Sequence, residues 1–600
     1  MKRLKAMKNL KIVLLSYSLL LTSLAQAQIF RWVKTGKLTN TDGNQQSAAT
    51  GIAQANGQVV ATGYFVSSLT LAGKTIGVAP YEQGAFTIFG PANGTDSWLQ
   101  SGLGKNVTGT TAGLDRAGNS YVSYTISGDA TFDTEALQSQ AAYNYSVTAL
   151  VKYTPDGRVA WLRKLDAGRR VEVASIAVAA DGTCTLGGSY AGTLTLAGQP
   201  PLTSSQSTGH DATSGLLTQF DAAGTCRWVR QVSAPLARVT SVALDATGEV
   251  SVSGMISAAD IPTGNTTATA TATFAPGVTL TTQLSDGFVA KYTAQGALRW
   301  VQKIGGEAND FAEGVAADAS GAVFVCGEFG SNAVALGTAS ATFGPFQLTS
   351  TGFPSYPYGF GDPDGFVAKY DAQGTCQWVQ AIRGGEYEAV RSVAVNQRGE
   401  VYVGGAAYSG VLFGANTSLQ GTTVGYQGYV AKYSGAGELR WLQSYGGSGR
   451  YSLAASSFWS GLGLTTDGVG RVYICGAFQG DAYFGGIYAS GTVGSVEYPF
   501  IAALDDQELP LATRPSAALN ATLQVYPNPT TGPTRVAWPA SSQPTRLEVL
   551  DVLGRPVRTE VLAASATEHQ LELTGLPPGV YLVRLHTQAA NQLVQRLIVK

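Results

Sequence analysis

The chain has 600 residues and a formal net charge of −1, with 13% charged residues, 44% hydrophobic residues and 74 glycines. With no Lys/Arg stripe it makes a poor nucleic-acid binder, because phosphate neutralisation dominates that affinity. It is too long for a single core and calls for at least two domains. Abundant Gly, Thr, Ser and Val point to β structure.

The first element is an export signal. Lys2, Arg3, Lys5, Lys8 and Lys11 form a basic start and IVLLSYSLLLTSLA follows as an apolar run. Ala25-Gln26-Ala27 then offers small residues where a signal peptidase reads. Residues 1–27 are therefore read as a signal peptide cut between Ala27 and Gln28. The run is too short for a membrane anchor, and no later stretch approaches the roughly 20 apolar residues that spanning requires. No transmembrane segment is expected in the mature chain, which is more acidic than the whole because the signal carries five bases and no acid.

A repeat fills residues 28–506. DGFVAKYTAQGALRWVQKIGG from Asp286, DGFVAKYDAQGTCQWVQAIRGG from Asp364 and QGYVAKYSGAGELRWLQSYGG from Gln427 are copies of one unit. Each is followed by a second unit, such as GVAADASGAVFVCGEF from Gly314, and weaker copies lie upstream. The repeat tryptophans 32, 98, 161, 228, 300, 378 and 441 stand 63 to 78 residues apart. Each period reads as four short strands with Asp-x-x-Gly turns, and helical spacing is almost absent. Four strands recurring about seven times predict a seven-bladed β-propeller. Phe30-Arg31-Trp32-Val33 is a Trp strand with no FVAKY strand before it, and Phe500-Ile501-Ala502-Ala503-Leu504 is an FVAKY strand with no Trp strand after it. Together they complete one blade, so a C-terminal strand is predicted to close the ring and remove its exposed edges.

The string FGPFQLTSTG ahead of DGFVAKYDAQG, with the Gly-Gly and GEVYVGG stretches, resembles bacterial β-propeller repeats of the SBBP type. That resemblance implies a fold and a secreted setting, with no shared reaction. Residues 507–521, rich in Pro, Ser and Ala, read as a linker. From residue 522 the chain carries LQVYPNPTTG, LEVLDVLGRPV and LPPGVYLVRL and stops at QRLIVK. These motifs resemble the C-terminal sorting domain of cargo of the type IX secretion system. The resemblance implies a small Ig-like β-sandwich over 522–600, export by that machinery as partner, and a secreted or cell-surface location. The fold class expected is therefore all-β throughout.

Chemistry is sparse. The only histidines are His210, His569 and His586, so a His-ligated metal site or a Ser-His-Asp triad in the propeller would have to rest on His210 alone. No cofactor or metal site is predicted. Five cysteines at repeated positions, among them Cys226, Cys326, Cys376 and Cys475, read as small apolar fillers instead of disulfides. Glu307, Asp310 and Glu313 follow the Gly-Gly of one blade, and Glu386 and Glu388 that of the next. Carboxylates meeting around a rim suit glycoside hydrolysis or a hard cation such as calcium, but solvated loop acids are the ordinary reading. Aromatic insertions are the stronger signal: Phe353, Tyr356, Tyr358 and Phe360 in one Gly/Pro-rich loop, and Trp459 outside the repeat register beside Tyr451 and Phe458. Exposed rings on a rigid scaffold serve glycan or protein recognition; alternatively these loops fold down as caps. The leading reading is a non-catalytic binding or adhesion module whose partner is a polysaccharide or surface protein. The alternatives are a carbohydrate-active enzyme using the acids of blades 5 and 6, and a structural surface-layer component.

Overall fold

The computed structural model describes residues 29–38, 46–139, 145–205, 213–258, 269–331, 339–350, 363–384, 388–407, 410–414, 417–419, 427–447, 462–491, 496–506, 523–526, 528, 530, 532–538, 545–551, 556–563, 566–577, 579–586 and 592–599. It divides into two compact units, Met1–Glu508 and Leu509–Lys600. No described residue is helical.

The first unit is a β-propeller. Among the described residues its strands build seven four-stranded antiparallel sheets of one recurring order, some extended by further strands. One sheet runs Asn309–Ala317, Val323–Ser331, Asp364–Tyr370, Cys376–Arg383 from its first strand to its fourth. The first strands of successive sheets pack on one another: Ala48–Ala55 on Val107–Leu114, then Gly168–Val178, Leu236–Leu244, Asn309–Ala317, Ala389–Val395 and Gly463–Thr466, which returns to Ala48–Ala55. The succession closes on itself. The second and third strands are almost wholly buried because a neighbouring sheet covers each face, which is why they read as continuous apolar runs instead of alternating ones.

The closing sheet joins the two ends of the repeat. Ile29–Thr35 pairs antiparallel with Glu497–Asp505, and Arg31 meets the Asp505 carboxylate. The sheet is completed by Arg471–Gln479 and Gly463–Thr466, as the missing and spare strands of the sequence required.

The repeat residues earn their places at the joints between sheets. In the third-to-fourth strand turn, Asp371 accepts backbone N–H bonds from Gln373 (3.0 Å) and Thr375 (2.9 Å), and Gly374 takes a φ of 86°. That left-handed φ favours glycine. A Cβ there would also stand 2.6 Å from Trp300 of the preceding sheet. The Trp300 indole N–H in turn donates to Ala372 O at 2.9 Å. The same relay runs from Trp32 to Ala92, Trp98 to Pro155, Trp161 to Ala222, Trp228 to Ala294 and Trp378 to Gly435. The seventh tryptophan has no such turn to meet. Trp441 donates instead to the Asp506 carboxylate (2.9 Å), which also takes Lys432 (2.9 Å) and the Tyr402 hydroxyl.

The four-strand period omits an element. Between the second and third strands each of the seven sheets inserts a small hairpin, as in Ala339–Phe343 with Phe346–Ser350. It adds to the fourth strand of the preceding sheet: Ala339–Phe343 pairs Leu298–Gly306, Ala130–Phe132 pairs Trp98–Gly104, and Leu412–Phe413 pairs Cys376–Arg383. The buried phenylalanines Phe132, Phe343, Phe413 and Phe484 of these hairpins plug the joint between sheets. The FGPFQLTS string is thus an inter-blade latch.

The second unit is a β-sandwich. A three-stranded sheet (Gln524–Tyr526, Thr534–Ala537, Glu568–Leu571) faces a four-stranded one (Pro556–Leu562, Thr545–Leu550, Gly579–His586, Gln592–Val599). Val536, Trp538, Leu571, Val549, Val583 and Leu597 share one core between them. Residues 507–522, which hold the expected linker, lie outside the described residues.

Candidate functional site

One end of the propeller sheets is closed by short turns ending in glycine, and in six of them a turn carbonyl is occupied by the tryptophan relay. The other end carries the insertions and the connections from one sheet to the next. Phe353, Tyr356, Tyr358 and Phe360 fall in sequence between Ser350 and Pro363, and Tyr451, Phe458 and Trp459 between Gly447 and Leu462; all seven lie outside the described residues. So do Ala27, Gln28, His210 and Glu386.

The acids beneath this end can be placed. Glu307 is exposed, whereas Asp310 and Glu388 are each 1% exposed. The expectation of solvated loop acids is corrected for those two: Asp310 lies in the first strand Asn309–Ala317 and Glu388 immediately precedes Ala389–Val395, and both are buried. Counting back from the bulge of each first strand, their position is Ser47, Val107, Val171 and Ala237 in earlier sheets. Those blades hold a small or apolar uncharged residue there, and these two substitute a carboxyl. Comparing the copies residue by residue at that register would have revealed it.

Asp310 accepts the backbone N–H of Gly306 (2.9 Å) and of Gly330 (3.0 Å). Burial, with the neighbouring Asp286 charge adding to it, pushes its carboxyl up to about 8. Asp286, also raised by burial, pairs with Lys303 at 3.0 Å. At the equivalent places in the next sheet stand Asp364, which burial raises to about 6, and Glu388. Glu313 is not free either: Arg391 bridges it to Glu328, both at 3.0 Å. Glu307 is thus exposed, Glu313 is tied to Arg391 and Glu388 is buried. No group of three or more His, Cys, Asp or Glu placed to hold a metal ion occurs among the described residues. All five cysteines are free thiols, four of them fully buried.

In the second unit the sequence motifs form a lock on the last strand. Asn528 Oδ1 accepts the Ile598 N–H (2.9 Å), and the Thr530 N–H donates to Ile598 O (2.9 Å). Tyr581 donates its hydroxyl to Pro577 O (2.8 Å), fastening the LPPGVY turn. The family described as "Secretion system C-terminal sorting domain" matches residues 524–600. The C-terminal unit is such a sorting domain. It marks the chain as cargo of the type IX secretion machinery, secreted and bound for the outer surface. No curated protein matches the chain.

Among solved structures, lignostilbene dioxygenase of Pseudomonas brassicacearum is similar at 10% identity and a TM-score of 0.30, with 64% of this chain and 69% of that one covered. Synechocystis apocarotenoid oxygenase shares 7% identity at a TM-score of 0.29, covering 70% and 94%. The extracellular domain of a putative one-component system from B. thetaiotaomicron shares 9% at 0.14, covering 92% and 86%. None of these likenesses bears on activity. No described helix is long and apolar enough to cross a membrane.

Proposed function

We propose that the chain is a non-catalytic binding module, carried outside the cell by its sorting domain, that engages a polysaccharide or a surface protein through the insertion-bearing end of the propeller. One observation carries this reading: the two ends of the sheets are built differently. The turn end is occupied by the tryptophan relay, while the second-to-third-strand insertions and the sheet-to-sheet connections leave their strands at the other end. Loops held on a rigid scaffold in this way are the usual seat of recognition.

The enzyme reading keeps one observation in its favour. Two carboxyl pairs, Asp286 with Asp310 and Asp364 with Glu388, occupy equivalent places in neighbouring sheets, and raised carboxyls are frequent in active sites. For the first pair, Lys303 and the N–H groups of Gly306 and Gly330 account for the two carboxyls as structural groups. The test is a screen of the mature protein against glycans and outer-surface proteins, with turnover of each bound glycan followed. Replacing Tyr356, Tyr358 and Trp459 by Ala should weaken the ligand found by about 1–4 kcal/mol in total, on the scale of interface anchors, with melting unchanged. Early melting with binding retained by the folded fraction would make these rings core; release of reducing ends would favour the enzyme.

A further inference from the structure

The seven latch hairpins allow a comparison within one chain. Each carries a buried residue that plugs the joint between sheets: Leu71, Phe132, Leu194, Phe274, Phe343, Phe413 or Phe484. The residue before it points outward and faces a cross-strand partner. Those pairs are Thr70–Thr75, Thr131–Ala136, Thr193–Thr203, Thr273–Thr279, Thr342–Gln347 and Leu412–Ser418. None of these six pairs carries an aromatic ring, so the scaffold does not ask for one here. In the hairpin of Ala482–Phe484 and Ile487–Ala489 the pair is Tyr483–Tyr488.

The two rings stand 5.3 Å apart at 50°, and the residues remain 50% and 53% exposed. Tyr483 lies opposite Gly446 of the adjoining strand, which has no side chain to wall that flank. The Tyr488 hydroxyl interacts with Asp481 and Ser490, and Asp481 is itself steadied by the Gly491 N–H. The result is an open aromatic shelf edged by a hydroxyl and a carboxylate.

We propose that this shelf is a second site, for a neutral glucan chain with β-linkages, which rests on the reading of the propeller as a binding module. A β-glucopyranosyl unit carries its hydroxyls equatorially. Both its faces are therefore C–H surfaces that lie flat on an aromatic ring, while the edge hydroxyls reach hydrogen-bond acceptors. Tyrosine suits such a half-wet surface, being apolar in body and polar at its tip. The one charge among the described contacts of the shelf is the Asp481 carboxylate, which accepts sugar hydroxyls and repels a polyanion.

Affinity electrophoresis and calorimetry of the full mature chain with hydroxyethylcellulose, cellohexaose and laminarin test this, with dextran and polygalacturonate as comparison polymers. The expected result is retardation by the neutral β-glucans only. In the Y483A/Y488A variant association should be about 30-fold weaker, the scale of losing two stacked anchors, with melting unchanged. Y488F should stay within about threefold of wild type, a difference of well under 1.4 kcal/mol. Absence of β-glucan binding by the wild-type chain overturns the proposal, even if the wider screen finds another ligand and the binding-module reading stands. Binding undiminished in the double variant overturns the site. So does a change of oligomeric state in that variant with glucan binding intact, which would make the pair a self-association surface.

Discussion

Replacing Asp506 by Ala removes the one side chain that stands in for a missing turn. The Asp506 and Lys432 side chains are both fully buried, 2.9 Å apart, and the same carboxylate holds the Trp441 indole N–H at 2.9 Å and the Tyr402 hydroxyl. Stripping one partner from a buried ion pair costs about 3–5 kcal/mol. Glu400 remains 3.0 Å from Lys432 and softens that loss. The orphaned indole and phenol then add about 1–3 kcal/mol each where water does not reach them. These contributions overlap, and about 4 kcal/mol is the expected total. At ~2.1 cal/mol/K per residue over roughly 480 residues, the unfolding entropy is near 1 kcal/mol/K, so the melting temperature should fall by about 4 °C. D506N, which keeps one acceptor, should fall between D506A and wild type. Asp156 makes an exposed pair with Arg158, so D156A should shift melting by under about 1 °C. Calorimetry of the three variants decides. A D506A protein that melts with the D156A control would refute the view that this carboxylate closes the tryptophan relay.

Three further outcomes are expected. Truncation before residue 497 removes the partner of Ile29–Thr35 and should broaden the melting transition and promote aggregation; a transition as sharp as the full chain's counts against closure by this strand. Deleting residues 520–600 should leave a folded propeller in the periplasm, and its appearance on the surface of a strain with the secretion system would contradict the sorting role. For Asp310, the folded carboxyl titrates near 8 and the unfolded one near 4, so the folded state binds the extra proton between them. Its contribution is fully present below about pH 4 and is lost as pH rises through about 8. The stability advantage of wild type over D310A should therefore shrink from pH 5 to pH 9; a constant gap in denaturant titrations would exclude this titration.

Much of the propeller was legible because its repeat residues are joint residues. A glycine forced to positive φ against a tryptophan, an aspartate capping its own turn and a buried lysine such as Lys291, which donates to the Gly321 carbonyl of the next sheet at 2.8 Å, leave little room for substitution, so the period survives in the sequence. The latch hairpins were harder to see. Ala-Thr-Phe and Leu-Phe segments of two to five residues are too short for a period-two pattern, and their pairing is with another blade. The burial of Asp310 and Glu388 escaped for a different reason: a charged residue after Gly-Gly has the local signature of a loop, and only the register of the bulge places it inside. Tyr483 and Tyr488 likewise look unremarkable until six equivalent hairpins show what the scaffold itself requires.

The pairing of Ile29–Thr35 with Glu497–Asp505 also sets a calendar for the chain. Arg31 and Asp505 are 474 positions apart, so the opening strand has no partner until nearly the whole propeller has emerged, and closing so long a separation is slow. The sorting domain begins only after that closing strand. A chain cut short by a premature stop or a protease therefore loses its address together with its last strand. Order along the polypeptide thus works as a check on length, because a chain too short to close its ring also lacks the signal for the surface.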